Sequence, residues 1–258
     1  MKSKMHGVEL MSNLKANIIN EVQKLFLKKK ITVLLIITAI ICFLSAFFIS
    51  SIQAKLVFIA MDSISFPLMT LTIFTNIFLP LFIFMTVAEL FSGEFGDKSL
   101  KLVLIRPISR LKIFISKNIA IAIYIIINLI VVFIVSMLSS MLLSGKASFS
   151  IPHIMFAYFI DLVPAVVLAL FASLIAQFFK SSSGAIITCI LLFIGIKILS
   201  LFVSGLNNIV FTSYLNWYSI WSVGQFSFLR TINTLFMILS YGAIFFTIGY
   251  YFFDKKEV

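Results

Sequence analysis

The chain has 258 residues, 62% of them hydrophobic and only 11% charged, with a formal net charge of +11. Soluble domains spend about a quarter of their residues on charge, so this composition excludes a soluble globular protein. The excess of base would suit a nucleic acid, but its distribution along the chain assigns it to membrane topology.

The apolar residues fall in blocks of about 20, the length that a helix rising 1.5 Å per residue needs to cross a hydrocarbon core of ~30 Å. Lipid offers backbone N–H and C=O groups no partners, so a spanning segment is a helix or part of a closed barrel. Long runs without polar alternation exclude the barrel. The sequence predicts an all-α polytopic membrane protein, with a cytoplasmic leader over residues 1–30 and a six-helix transmembrane domain over residues 31–258.

In the leader, Leu14, Ile18, Val22, Leu25 and Phe26 recur at helical spacing, with Lys15, Glu21, Gln23 and Lys24 elsewhere on the helix. This pattern predicts an amphipathic helix lying along the cytoplasmic interface. The first apolar run begins after Lys30 with no small-residue cleavage site behind it, so it is expected to be retained and not removed as a secretory signal. Six spans are expected near Ile31–Ser51, Phe66–Leu90, Ile113–Leu143, Ile154–Phe179, Gly184–Val203 and Asn233–Phe253. The third exceeds what a bilayer requires and is expected to tilt or project. Cys42 and Cys189 fall inside spans, where they read as small buried hydrophobes.

Seven lysines precede the first span, six Lys or Arg lie between Lys98 and Lys117, one is Lys180 and two are in the tail. Those sixteen stand on one side against Lys55, Lys146 and Arg230 on the other. The positive-inside rule then places both termini in the cytoplasm of a multi-pass plasma-membrane protein. The same charge attracts anionic membrane lipid and calls for no nucleic-acid partner.

Within the spans, Asn76 and Pro80 predict a kink in the second. Asp161 and Pro164 read as an interfacial acid and a bend near the outer start of the fourth. Lys197 is the only basic residue deep in an apolar run. It either faces a cavity or a partner or snorkels to the headgroups, and both readings stay open. Residues 204–232 carry Tyr214, Trp217, Tyr218 and Trp221, which favour the membrane interface. Short external helices dipping into the outer leaflet and a loop resting on the headgroups both fit.

Between the second and third spans lies a short basic segment. Glu89 and Glu94 close the second span, and the stretch from Ser99 to Ile105 can form a short amphipathic helix. Pro107 limits that helix, and Ser109 supplies an N-cap for the third span. Five Lys or Arg between positions 98 and 112 make the segment a compact charged knob, suited to docking a cytosolic partner. The alternative is an ordinary positive-inside loop.

Glu94, Lys98-Ser99, the stretch from Leu100 to Leu104, Arg106-Pro107-Ile108-Ser109-Arg110 and Lys117 resemble the signature of ABC-2 type exporter permease subunits, with Lys98 where that family commonly has glycine. The resemblance extends to the architecture of leader helix, six spans and cytoplasmic ends. It implies a permease subunit that forms half of a translocation pathway for a hydrophobic or amphipathic substrate. Such a subunit pairs with a second permease copy, as homo- or heterodimer, and binds a separate cytosolic ABC ATPase through the loop, its coupling helix. Glu94, Ser99, Lys101, Arg106, Pro107, Ser109 and Arg110 would make up that coupling element. In this family the second and fifth spans tend to line the dimer interface, which would make Asn76 and Lys197 pathway residues. A structural hydrogen bond is the alternative for Asn76.

The segment from Gly93 to Ser99 lacks the Gly-Lys adjacency and the strand-to-helix setting of a phosphate-binding loop. No cofactor is therefore expected in this chain; ATP and magnesium are expected on the partner ATPase. With His6 and His153 as the two histidines, no histidine pair builds a zinc site, and catalysis by the chain itself is not expected. One rival is an ATP-independent transporter or channel, disfavoured by the lack of buried carboxylate relays and inverted repeats. Another is a non-transporting membrane sensor or assembly partner, which would use the loop only for binding.

Overall fold

The computed structural model describes residues 2–55, 66–97, 108–144, 151–203, 205–219 and 228–256. Among these residues the fold is helical throughout, with no strand. Helix α1 runs Lys2–Leu27 and α2 Lys29–Lys55. Helix α3 runs Phe66–Gly96, α4 Arg110–Ser144, α5 Ile151–Ala176, α6 Ser182–Phe202 and α7 Phe228–Asp254.

Five helices among the described residues are long and apolar enough to cross a membrane: Phe66–Gly96, Arg110–Leu142, Ile151–Ala176, Ser182–Phe202 and Thr231–Asp254. Each falls on an expected span. The remaining expected span falls on α2, whose outward side chains include Val33, Ile36, Ile40, Phe43, Leu44 and Phe48. The short helix expected over residues 99–105 lies outside the described residues.

The centre of the bundle is α3, α4 and α5. Helices α1 and α2 lie along α4, α7 along α5, and α6 along α3 and α5. The most apolar stretch of α5 is 67% buried and that of α3 61%, against 17% for α6 and 22% for α7. The last two therefore present most of their surface outward, as lipid-facing helices do. In lipid no hydrophobic force drives helices together, so small side chains and polar contacts do. Buried Ala165, Ala169, Ala172 and Ala176 recur at spacings of three and four along α5. Gly242 and Gly249 bring α7 against Val167 and Leu174 of α5. Thr38 of α2 donates to Asn128 Oδ1 of α4 at 2.9 Å, and Ser136 of α4 meets the Tyr158 hydroxyl of α5 at 3.1 Å.

Helix α3 is the irregular member. Pro80 has no amide to donate, and just before it Phe74–Phe78 widen into a π-turn, in which the Leu79 amide reaches the carbonyl of Phe74, five residues back. The expected kink is thus a π-turn centred on Asn76. A second π-turn spans Glu89–Gly93 and precedes Glu94. There Gly96 lies so close to the carbonyl of Lys180 that a Cβ would come within 2.6 Å of it. The end of α3 and the start of α6 are held in direct backbone contact.

The described part of the segment between α6 and α7 folds in against the helices. It forms 3₁₀ turns over Leu206–Asn208 and Phe211–Tyr214, entered through Gly205 at φ 103°, a conformation that favours glycine. Phe211, Leu215, Trp217 and Tyr218 are buried. The Phe211 ring packs 5.3 Å from both Phe171 of α5 and Phe245 of α7.

Candidate functional site

The deepest polar assembly sits where α1, the end of α3 and the start of α4 meet. Lys117 of α4 is fully buried. Its Nζ donates to Glu94 Oε2 of α3 at 2.6 Å, to Glu21 Oε2 of α1 at 3.0 Å and to the Leu90 carbonyl at 3.2 Å. The same ammonium lies 5.8 Å from the centre of the Phe91 ring. Glu94 Oε1 pairs with Lys24 of α1 at 2.6 Å. Two lysines and two glutamates thus form a neutral quartet from three segments. A buried charge stripped of its partner costs several kcal/mol, so each member depends on the others being in place.

Neighbouring contacts extend the quartet. Asn17 of α1 donates to Ser116 Oγ of α4 at 2.7 Å. Lys28 reaches the Glu89 carbonyl at 3.0 Å and its carboxylate at 3.5 Å, and Lys30 meets the other carboxylate oxygen at 3.4 Å. Ser92 donates to the Ala176 carbonyl at 2.9 Å, fixing α3 to the end of α5.

The expected coupling residues separate here. Glu94 is buried and faces inward, paired within the fold. Ser109 is exposed and directly precedes α4, its carbonyl accepting from the amides of Lys112 and Ile113. Arg110 Nη1 donates to the Asp254 carbonyl and, at 3.3 Å, to the Lys256 carbonyl, tying α4 to the end of α7. Ser99, Lys101, Arg106 and Pro107 lie outside the described residues. Sequence reasoning placed Glu21 off the packed face of the leader, and the structure corrects this. Glu21 follows Ile18 by three and precedes Leu25 by four, so it shares their face and is buried with Leu25. That spacing was the available signal; a carboxylate reads as solvent-facing until its distant lysine is known.

Asn76 and Lys197, the two expected pathway residues, meet directly. Lys197 Nζ of α6 donates to Asn76 Oδ1 of α3 at 2.7 Å and lies 5.1 Å from the centre of the Phe193 ring. Asn76 Nδ2 in turn donates to the Thr72 carbonyl at 2.9 Å, one turn back, in the regular helix before the π-turn. Around the pair is a groove of about 370 Å³ between α3 and α6, with Pro80, Phe84, Phe193 and Leu201 among its apolar walls.

At the same end of the bundle, Asp161 departs from expectation. It is not an interfacial acid but is buried, with Oδ1 accepting the Tyr218 amide at 2.9 Å. The Tyr218 hydroxyl donates to the Leu68 carbonyl at 3.0 Å and contacts Thr72 Oγ1. Thr75 donates to Asn216 Oδ1 at 2.6 Å. The segment between α6 and α7 is thereby bonded to the first turns of α3 and to α5.

The described residues include no group of three or more His, Cys, Asp or Glu placed to hold a metal ion. Comparison with curated proteins finds no match. A family model described as "ABC-2 family transporter protein" matches residues 17–198, which takes in the buried quartet, the basic loop and the Asn76–Lys197 pair. That match covers well over half of the chain, which belongs to the ABC-2 family of membrane transporter proteins.

Proposed function

We propose that this chain is the permease subunit of an ABC-2 exporter, with α2 as its sixth span and both termini in the cytoplasm. A separate ATPase docks on the loop between α3 and α4, and a second permease copy completes the pathway. The cargo is hydrophobic or amphipathic, and the Asn76–Lys197 groove lies on the pathway side of the subunit.

One observation carries the coupling role: Glu94, at the entrance to the loop, is bonded through Lys117 to α4 and through Lys24 to α1. A thrust on the loop would be delivered to three segments at once, because rigidly paired ions do not slip past one another independently. The positive surplus at this end supports the cytoplasmic orientation.

The test is copurification of the ATPase in mild detergent, combined with transport by Lys101→Glu/Arg106→Glu, which reverses charge in the loop and spares the quartet. Loss of a charge-assisted contact costs about 1.5–3 kcal/mol, which weakens docking roughly tenfold to more than a hundredfold. The variant is expected to reach the membrane at normal levels and to lose coupled transport. Full transport by this variant, or robust transport in cells without the ATPase, would overturn the proposal.

A further inference from the structure

Among the described residues Lys197 forms no ion pair, while Lys24, Lys28, Lys30 and Lys117 each have a carboxylate within 4 Å. Its ammonium is held by Asn76 Oδ1 at 2.7 Å and lies over the Phe193 ring. Lys197 lies five residues beyond the middle of Ser182–Phe202, and Asn76 five residues before the middle of Phe66–Gly96. At 1.5 Å per residue both sit about 8 Å from their helix midpoints, inside a hydrocarbon core of ~30 Å. The contact with Asn76 holds the ammonium at that depth, where snorkelling would have drawn it outward. An unpaired cation within a spanning segment calls for an anion, and the walls around this one are hydrocarbon.

The groove is also open toward lipid. Ile194, Ile198 and Leu201 of α6 line it and are exposed, and so is Ile77 of α3. Only one Lys197 proton is used by Asn76, and a lysine ammonium has three to give. A ligand that satisfies both features has one anionic head for the ammonium and an apolar tail for the walls.

We propose that the groove between α3 and α6 binds an anionic phospholipid taken sideways from the bilayer, its phosphate on Lys197 and an acyl chain along Pro80, Phe84 and Phe193. The Asn76 side chain positions the lysine and is itself fixed by the Thr72 carbonyl, one turn back on α3. The inference shares its groove with the pathway reading but needs neither an ATPase nor transport, so a transport-silent protein leaves its test intact.

The full chain is reconstituted into bilayers containing phosphatidylglycerol or phosphatidylcholine with the same photoreactive acyl chain, irradiated, and the labelled peptides mapped. Phosphatidylglycerol is expected to label peptides carrying residues 76–84 and 190–201 at least five-fold more than phosphatidylcholine does. Lys197→Gln should bring that ratio close to one, and Lys197→Arg should keep it. Labelling elsewhere on the chain, at the basic end, serves as the internal reference for general attraction to anionic lipid. Equal labelling of the groove by both lipids, or a ratio that survives Lys197→Gln, overturns the proposal. Labelling by neither lipid, the result of a second copy sealing the face, overturns it as well.

Discussion

The two ends of α3 hold polar groups out of water by opposite means. At the Glu94 end, charge is answered by charge: Lys117 lies between Glu94 and Glu21, with Lys24 completing the quartet. At the Thr72 end no ion pair forms among the described residues: the buried acid Asp161 accepts a backbone amide, the Tyr218 and Thr75 hydroxyls donate to carbonyls, and the Lys197 ammonium rests on the Asn76 carbonyl oxygen. An ion pair needs two side chains of opposite sign, so the first device welds separate segments together and fails if any one is neutralised. The second depends on the path of the chain, because the donor is the amide of Tyr218 whatever its side chain. The charge-locked end is the end next to the basic loop, and the Thr72 end carries the segment between α6 and α7.

The harshest way to break the comparison is Lys117→Leu. Removing the central cation leaves Glu21 facing Glu94 with only Lys24 to offset them, and unpaired buried charge typically costs about 3–5 kcal/mol. Thermal unfolding in detergent should show a large fall, and α1 should become accessible to protease. Adding Glu21→Leu restores neutrality, because the Lys24–Glu94 pair remains, and a well-packed apolar replacement of a buried ion pair is often close to neutral. The double variant should therefore recover most of the loss. A single variant as stable as the parent would show that the quartet does not hold these helices together.

The same contrast explains what could be read from the chain. The five membrane-crossing helices were legible because burial in lipid imposes a length and an apolar run that no soluble context mimics. Pro80 announced the break in α3 because a missing amide is a local fact. Lys197 and Asn76 were noticed separately as polar residues in apolar surroundings, but their meeting across 121 positions could not be read from either helix alone. Glu21 was missed because its lysine is 96 residues away, and a carboxylate on a leader helix otherwise belongs in water. Asp161 was misplaced for a different reason: its partner is a backbone amide, and every non-proline residue has one. Side-chain chemistry is written in the sequence, whereas the route of an irregular segment past it is not.

Asp161 offers a milder test, at the Thr72 end. Asp161→Ala removes the acceptor and leaves the Tyr218 amide buried without it, which costs about 1–3 kcal/mol. Asp161→Asn keeps a carbonyl oxygen in place of Oδ1 and should lose distinctly less, since the bond to Tyr218 does not require charge. Thermal midpoints of the two variants decide the matter. If Asn were as damaging as Ala, the negative charge itself would matter, and the contrast between the ends would collapse.

The smallest effect is expected at the tail, which closes over the charged end. Arg110 holds the Lys256 carbonyl at 3.3 Å, and the Lys256 ammonium lies 4.2 Å from the centre of the Phe95 ring. Burial pushes this amine down from its ordinary 10.5 to about 8. Below pH 8 the folded and unfolded chains both carry the proton, and the cost of burying the charge is constant. Between about pH 8 and 10.5 the unfolded chain still binds the proton that the folded chain has released, so stability from this group rises with pH. The midpoint difference between the parent and Lys256→Met, measured at pH 7, 8, 9 and 10, should therefore shift in the parent's favour above pH 8. Because all other lysines are common to both proteins, the difference isolates Lys256. A difference that stays flat across the range would mean the amine is solvated and the tail does not cover Phe95, leaving the end of α3 open beside the loop.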